Sequence, residues 1–220
     1  MLHLFKFNNI FQYVSDLHLE KGFKRIIVPS KPFLLLCGDI GHPELSEYKN
    51  FLLHTSSLFD KVFILSGNHE YDNLSILETE NTIREICYIK NNLFFLQKDT
   101  VLIEDNLYLA ACTLWSPLPK SKTLLHLDHV KWLHSITDDK TKNYFIATHH
   151  CPLLQCINRK YHLKTFNYFA SNQSDIINKS NVKLWLHGHS HKNSDFLNYN
   201  TWIISNQYGS FSNPSFGFKH

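Results

Sequence analysis

The sequence predicts a layered α/β fold. Short apolar runs rich in β-branched and aromatic residues alternate with segments whose apolar residues recur at helical spacing, a pattern typical of such folds rather than of helix bundles. The chain has 220 residues, of which 43% are apolar and 14% aromatic, so it can bury one substantial core. We therefore expect a single domain over residues 1–220.

Six apolar runs predict strands, and three weaker alternating segments predict further ones. The six are Ile10 to Ser15, Phe33 to Cys37, Val62 to Leu65, Leu107 to Cys112, Tyr144 to Thr148 and Val182 to His187. The weaker three are Leu93 to Leu96, Thr100 to Glu104 and Thr201 to Ser205. Asn198-Tyr199-Asn200 precedes the last of these and could form a hairpin turn, since asparagine tolerates the left-handed conformation.

Three segments predict helices: Glu44 to Leu58, Ile76 to Ile86 and Leu124 to Ile136. Pro152 to Asn172 predicts a long irregular loop, and loops of that length are usually functional or mobile. The Ser/Asn-rich tail from Asn206 to His220 offers little for a core to hold.

Charge and targeting signals restrict the function class. The net charge is +3, and the Lys and Arg residues are scattered, which argues against a dedicated nucleic-acid binder but permits a small anionic substrate. The N-terminus does not resemble a signal peptide, and no apolar stretch approaches the roughly 20 residues that span a bilayer. We expect a cytoplasmic protein without a membrane partner. Its five cysteines are expected to be reduced thiols.

Five polar clusters are the most informative feature of the chain. Four follow directly on a predicted strand and the first overlaps one: Asp16-Leu17-His18, Gly38-Asp39, Gly67-Asn68-His69-Glu70, His149-His150 and Gly188-His189-Ser190-His191. Ligands of open α/β sheets bind outside the carboxyl ends of strands, so these clusters are expected to converge. If the backbone stays extended, the i, i+2 spacing places Asp16 and His18 on one side, and likewise His189 and His191.

The donor types predict metal binding. A mixture of imidazole, carboxylate and amide groups favours first-row transition metals over calcium, and the lack of cysteine in the clusters argues against a closed structural zinc site. Two metals about 3.5–4 Å apart can trap a bridging hydroxide and stabilise both the attacking and the leaving oxygen of an in-line displacement. Such a pair needs a bridging carboxylate, for which we choose Asp39.

The clusters and their order resemble the calcineurin-like metallophosphoesterases. The matching segments span residues 15–191 and read Ser15-Asp16-Leu17-His18-Leu19-Glu20, Cys37-Gly38-Asp39-Ile40, Ser66-Gly67-Asn68-His69-Glu70-Tyr71, Thr148-His149-His150-Cys151-Pro152 and His187-Gly188-His189-Ser190-His191. The resemblance implies a four-layer α/β/β/α sandwich of two mixed sheets flanked by helices, forming one such domain.

The resemblance also implies residue roles. Asp16, His18 and His191 would bind the first metal, and Asn68, His149 and His189 the second, with Asp39 bridging. His69 would be the catalytic histidine that assists the leaving oxygen, acting with the bridging Asp39. The cofactors would be two divalent or mixed-valence ions of Mn, Fe, Zn or Ni.

Several assignments remain open at the level of sequence. Either His149 or His150 could be the ligand, and we favour His149 because it comes first after the apolar run. His187 is expected to orient a ligand or to pack under the site rather than to bind metal. Further contacts to ligands or substrate could come from Glu20, His42, Glu70, Tyr71, Asp72, His150 and Arg159. Isolated histidines, such as His54, His126, His129, His134 and His162, are expected to be exposed or satisfied in the core.

The expected activity is hydrolysis of phosphate mono- or diesters, with a phosphorylated small molecule or a phosphoprotein as substrate. A catalytically silent interaction module of the same fold is one alternative, but it predicts loss of Asp39, Asn68 or His69, and all three are present. A nuclease is the other, and the balanced charge makes nucleic acid a less favoured substrate.

Overall fold

Two β-sheets lie at the centre of the computed structural model, which describes residues 7–22, 27–157, 163–210 and 213–214. The first sheet has four parallel strands in the order β1-β2-β3-β4. These are β1 Phe11–Val14, β2 Phe33–Cys37, β3 Lys61–Leu65 and β4 Leu93–Phe95. Parallel neighbours require crossover connections, and helices Ser46–Ser56 and Ile76–Cys87 lie in the connections from β2 to β3 and from β3 to β4.

The second sheet has six strands in the order β5-β6-β7-β8-β10-β9. Its strands are β5 Asp99–Glu104, β6 Leu107–Cys112, β7 Asn143–Thr148, β8 Val182–Leu186, β9 Asp195–Asn198 and β10 Thr201–Ile204. The inner pairs are parallel, whereas β5 and β9 run antiparallel to their neighbours, so the sheet is mixed. Gly209–Ser210 and Asn213–Pro214 form a separate short ladder, β11 and β12.

Helices cover the outer faces of the sheets. They are α1 Ser46–Ser56, α2 Ile76–Cys87, α3 Thr123–Thr137 and α4 Ser174–Ile177. Short 3-10 turns occur at Leu19–Lys21, His69–Tyr71, Lys120–Lys122, Leu154–Cys156 and Leu163–Tyr168. A capping box begins α2, where Ser75 and Glu78 each accept a hydrogen bond from the backbone N–H of the other. None of the helices in the described ranges has the length and apolar character that crossing a membrane requires.

Alternation along the strands divides the core into three apolar layers. In β2, Leu35 and Cys37 face the second sheet, while Leu34 and Leu36 pack in the cluster that contains α1 and α2. The second sheet packs its outer face against Leu133 of α3. The result is the predicted four-layer α/β/β/α arrangement, in which both faces of each sheet are covered by apolar side chains. Only the second sheet is mixed as expected, because all pairings of the first sheet are parallel.

The nine predicted strands and three predicted helices are present, with ends that shift by one or two residues. Strand β9, helix α4 and the two-residue strands β11 and β12 were not predicted. The predicted hairpin joins β9 to β10, but the expectation of an asparagine in the left-handed conformation was wrong, since it is Tyr199 that has φ 51°.

The expectation that the tail from Asn206 to His220 offers little for a core to hold was wrong for the start of the tail. Gln207 is fully buried and pairs with Ser15 at the end of β1, so this part of the tail belongs to the core. Within the predicted loop from 152 to 172, residues 158–162 lie outside the described residues, and these include Arg159 and His162. The five cysteines are buried thiols, as expected.

Candidate metal centre

The polar clusters converge at the carboxyl ends of the parallel strands, as the sequence predicts. Asp16, Asp39 and Asn68 follow β1, β2 and β3, which are neighbours in the first sheet. The histidine clusters follow β7 and β8, which are neighbours in the second. Three groups of potential ligand atoms result, each with all atoms within 4.8 Å of one another: Asp16, His18 and His191; His18, Asp39 and His69; Asp39, His149 and His189.

The three groups share members and therefore form one continuous site. His18 belongs to the first and second groups, and Asp39 to the second and third. At one end, Nε2 of His191 lies 3.3 Å from Oδ1 of Asp16 and 3.5 Å from Nε2 of His18. At the other end, Nε2 of His149 lies 3.1 Å from Oδ2 of Asp39 and 3.2 Å from Oδ1 of Asn68. Asp39 thus occupies the position that a shared ligand would need.

The electrostatics of this cluster favour a positive charge at its centre. Burial alone would lower the pKa of His149, but the adjacent Asp39 carboxylate outweighs it and raises that pKa to about 9. Burial would raise the pKa of Asp39, yet His149 holds it well below its usual value. Buried ionised groups are stable only when paired or bound to a metal, and a cation can displace the His149 proton. The donor set therefore fits divalent cations.

The backbone at the site is left-handed rather than extended. Asp16, His18, Asp39, His189 and His191 have φ between 49° and 70°, a conformation that is uncommon for residues other than glycine. The extended-strand premise for the i, i+2 spacing was therefore wrong. His189 and His191 do not share one side but belong to different groups. Each strained residue costs about 1–3 kcal/mol, which the surrounding contacts must offset.

Two glycines allow the strand ends to approach each other. Gly38 has φ 83°, and a Cβ there would lie 2.6 Å from Nδ1 of His149. A Cβ on Gly67 would lie 2.8 Å from Cγ of Asp39. Non-bonded atoms do not approach this closely, so both positions require glycine.

Two glutamates support the site in different ways. Oε1 of Glu20 lies 3.0 Å from Nδ1 of His18 and can accept a hydrogen bond from it, as a carboxylate behind a ligating histidine does. Glu70 instead accepts backbone N–H groups from Asp39, Ile40 and Gly67 at 2.7–2.9 Å. Burial, with the charge of Asp39, raises the pKa of Glu70 to about 7. Its carboxyl group ties the end of β2 to the loop that carries Asn68.

His69 lies at the open side of the cluster. Its side chain is 43% exposed, and its Nδ1 is 2.6 Å from Oδ2 of Asp72. Burial would lower the pKa of His69, but the charges of Asp39 and Asp72 raise it. The backbone N–H of His69 donates to Oδ1 of Asp39 at 2.9 Å. An accessible imidazole, oriented by a carboxylate, therefore borders the candidate metal ligands.

A comparison with protein families decides the identity of the chain. The model of the family described as calcineurin-like phosphoesterase matches residues 11–193. The chain belongs to the calcineurin-like phosphoesterase family. This agrees with the resemblance seen in the sequence.

Relatives and solved structures support the family at the level of fold. The chain is 28% identical over 257 residues to Uncharacterized protein L509 of Acanthamoeba polyphaga mimivirus, covering 91% of each. The crystal structure of Phosphopantetheinyl Hydrolase (PptH) from Mycobacterium tuberculosis superposes with a TM-score of 0.70 at 14% identity, covering 91% of this chain and 89% of that one. GAP50, described as the anchor in the inner membrane complex of Plasmodium, superposes with a TM-score of 0.57 at 11% identity, covering 96% and 75%.

The two adjacent histidines of this calcineurin-like phosphoesterase take different positions. His149 turns its Nε2 toward Asp39 and Asn68, and its Nδ1 lies 2.9 Å from the carbonyl oxygen of Cys37. His150 belongs to none of the three ligand groups found among the described residues. Its Nδ1 lies 2.6 Å from Oγ of Ser116. This geometry favours His149 over His150 as a ligand.

His187 lies behind the site rather than in it. Its Nε2 is 2.9 Å from Oγ of Ser194, and its Nδ1 is 3.1 Å from the carbonyl oxygen of Gly188. Burial lowers the pKa of His187 to about 4, so the ring is neutral near neutral pH. This placement matches the expectation of a histidine that packs under the site.

Sequence reasoning missed Gln207. Its Oε1 accepts the backbone N–H of His191 at 2.6 Å, and its Nε2 donates to the carbonyl oxygen of Lys192 at 2.8 Å. It thereby holds the backbone of a candidate ligand in the left-handed conformation. Gln207 follows β10 closely, so the signal that revealed the other clusters, polar residues after a strand, was present here too.

Proposed function

We propose that this chain is a dinuclear metal-dependent phosphoesterase that hydrolyses phosphate mono- or diesters. The continuity of the three ligand groups through His18 and Asp39 carries the proposal, because a bridged pair of cations needs ligand sets that meet. Asp16, His18 and His191 would hold one ion, and Asn68, His149 and His189 the other, with Asp39 shared. Mn, Fe, Zn and Ni all suit these donors.

The protein's own groups have defined tasks in such a reaction. When bound, the two cations would supply charge that stabilises the phosphoryl oxygens and acidifies a water for attack on phosphorus. Asp72 holds the imidazole of His69 through Nδ1. This leaves Nε2 to donate a proton to the departing oxygen. The raised pKa of His69 keeps it protonated to a higher pH than an ordinary histidine.

The fold by itself does not choose between catalysis and binding. One structural neighbour is named a hydrolase and another an anchor. A silent interaction module would have no need of an exposed His69 oriented by Asp72, nor of strained backbone at five candidate site residues. These features support the enzyme over the module. Scattered cationic residues continue to favour small or protein-borne phosphoesters over nucleic acid.

The test measures hydrolysis of two substrates, an aryl phosphate monoester and the matching diester. The protein is first stripped of metal and then reloaded with Mn²⁺. His69→Ala should keep both ions, counted by elemental analysis, and lose about 10²–10⁴-fold in kcat. Asp39→Asn should lose both metal and activity, because it removes the shared carboxylate. His54→Ala, on the exposed face of α1, is the matched control and should change neither quantity.

The preferred ester of the pair would assign the ester class. Unchanged turnover in His69→Ala would contradict the role given to this residue. Failure of the wild-type protein to bind any first-row divalent ion would contradict the dinuclear centre as a whole.

A further inference from the structure

A cavity of about 330 Å³ opens beside one end of the candidate metal centre. Asn68 and His189 line it on the metal side, so a group bound there would be adjacent to a reacting phosphoryl group. Much of the remaining wall is aromatic, formed by Tyr71, Trp115, Tyr168 and Phe169. Its volume is within the roughly 300–1,000 Å³ of small-molecule sites, and aromatic walls are typical of them.

Trp115 is held in this wall by a strained turn. Leu114 and Trp115 both have left-handed backbone, with φ 68° and 53°. Two buried histidines of α3 fix the turn: His129 accepts the N–H of Leu114 at 3.0 Å, and Nδ1 of His126 lies 3.1–3.2 Å from the carbonyl oxygens of Leu114 and Trp115. Strain of this kind is found at ligand sites because it positions a side chain in advance.

The aromatic face of Trp115 is covered by a flexible side chain. Nζ of Lys122, which also lines the cavity, lies 4.4 Å from the centroid of the Trp115 ring. Lysine has a long stem and a strongly hydrated head, so it can leave this face at low cost. A flat ring entering the cavity would take the place of the ammonium group and stack on the indole.

His150 provides a second, independent sign of a ligand. It lines the same cavity and is buried, with 4% of its surface exposed. Nδ1 is engaged by Ser116, whereas Nε2 has no hydrogen-bond partner within the part of the chain that the structure describes. Buried polar atoms without a partner are rare and costly. A polar atom of a bound molecule would satisfy this one.

We propose that this cavity binds the leaving group of the substrate, and that this group carries a flat heteroaromatic ring, as a nucleoside does. The ring stacks on Trp115 and Tyr168, and one of its heteroatoms hydrogen-bonds to Nε2 of His150. The proposal rests on the phosphoesterase function proposed above. Its test therefore measures binding without turnover, so that the two proposals can fail separately.

The first experiment compares benzylphosphonate with cyclohexylmethylphosphonate, measured by calorimetry on the Mn²⁺-loaded protein. The two ligands share the phosphonate and the size of the ring, so their affinity ratio isolates aromaticity. We expect benzylphosphonate to bind about three- to tenfold more tightly. Equal affinities, or no measurable binding of either ligand, would overturn the proposal, even if aryl phosphates are hydrolysed.

Three variants locate the preference. Trp115→Leu should abolish the preference for benzylphosphonate. Trp202→Leu, on β10, is the control and should leave that preference intact. Because Trp115 is nearly fully buried and its variant could misfold, Tyr168→Leu provides a second test at a residue that is 44% exposed. Tyr168→Leu should reduce the ratio. A ratio that is unchanged in both pocket variants would overturn the assignment of the ring to this cavity.

The second experiment tests the heteroatom. The affinities of the three pyridylmethylphosphonate isomers are compared with that of benzylphosphonate, on the wild type and on His150→Asn. The asparagine amide can replace Nδ1 in the hydrogen bond to Ser116 but has no atom at the Nε2 position. We expect one isomer to gain affinity in the wild type only. If His150→Asn weakens all four ligands equally, His150 contacts the phosphoryl group and the heteroaromatic assignment is wrong.

Discussion

Replacing Gln207 with alanine should destabilise the protein strongly, although Gln207 belongs to no ligand group. The substitution leaves the partly buried backbone N–H of His191 without its acceptor, whereas the carbonyl oxygen of Lys192 keeps longer contacts with Oγ of Ser190 and Oγ of Ser205, at 3.3 and 3.5 Å. Each buried unsatisfied group costs about 1–3 kcal/mol. Ser190 and Ser205, each 3.2 Å from Nε2, can rotate to other partners and add little. We expect a loss of about 2 kcal/mol in the free energy of unfolding.

The measurement is urea unfolding of metal-free protein, followed by far-ultraviolet circular dichroism. Gln207→Glu is the companion variant: it keeps an acceptor for the His191 N–H but places a carboxylate at a fully buried position beside the Lys192 carbonyl oxygen, so it should destabilise the protein at least as much. Gln155→Ala, at an exposed position, is the matched control and should stay within about 0.5 kcal/mol of wild type.

The same variant should weaken metal binding, because Gln207 holds the strained backbone of His191. Calorimetric titration with Mn²⁺ should show a loss in affinity for Gln207→Ala and wild-type affinity for Gln155→Ala. If the free energy of unfolding of Gln207→Ala lies within about 0.5 kcal/mol of the wild-type value, the hydrogen bonds to Gln207 do not stabilise this loop and the prediction is wrong.

Other predictions concern the glycines, the buried histidines and the metals. Gly38→Ala should cost more than about 2 kcal/mol by urea unfolding, since its Cβ would meet His149, whereas Gly22→Ala, with φ 75° but open space, should cost only about 1 kcal/mol. Burial lowers the pKa of His129 to about 4, so on acidification the unfolded chain binds this proton before the folded chain does. The free energy of unfolding therefore falls as the pH drops from 6.5 toward 4, and His129→Gln should reduce this loss by up to about 3 kcal/mol. Free Mn²⁺ at 100 times the Kd of each site should stabilise the wild type by about 2.7 kcal/mol per bound ion in thermal unfolding, and Asp39→Asn far less.

Much of the fold could be predicted from local patterns. The strand from Phe33 to Cys37 was located to the residue, because a buried parallel strand is a continuous apolar run with sharp ends. The carboxyl-end clusters likewise followed from the chain order of strands and polar residues. Strand β9 was not predicted because its residues, Asp195-Phe196-Leu197-Asn198, do not alternate between apolar and polar along the sequence.

The site was predictable in composition but not in geometry. His18 and His191 are separated by 173 positions, and no local pattern records which ring nitrogens face each other. The choice between His149 and His150 depended on Asp39, Asn68 and Ser116, which lie on other segments. The left-handed backbone at five candidate site residues was contrary to their ordinary preference, so propensity could not indicate it.

The sequence by itself determined the order of strands and helices, the donor types at the strand ends and the family to which they are similar. These properties reside in short stretches of chain, where hydrophobic periodicity and residue chemistry act locally. Only the tertiary structure decided which donors share a cation-sized space, which glutamate ties the backbone together and which aromatic side chains enclose a cavity. Those features depend on contacts between distant segments, and the strain at the site persists only because such contacts outweigh it.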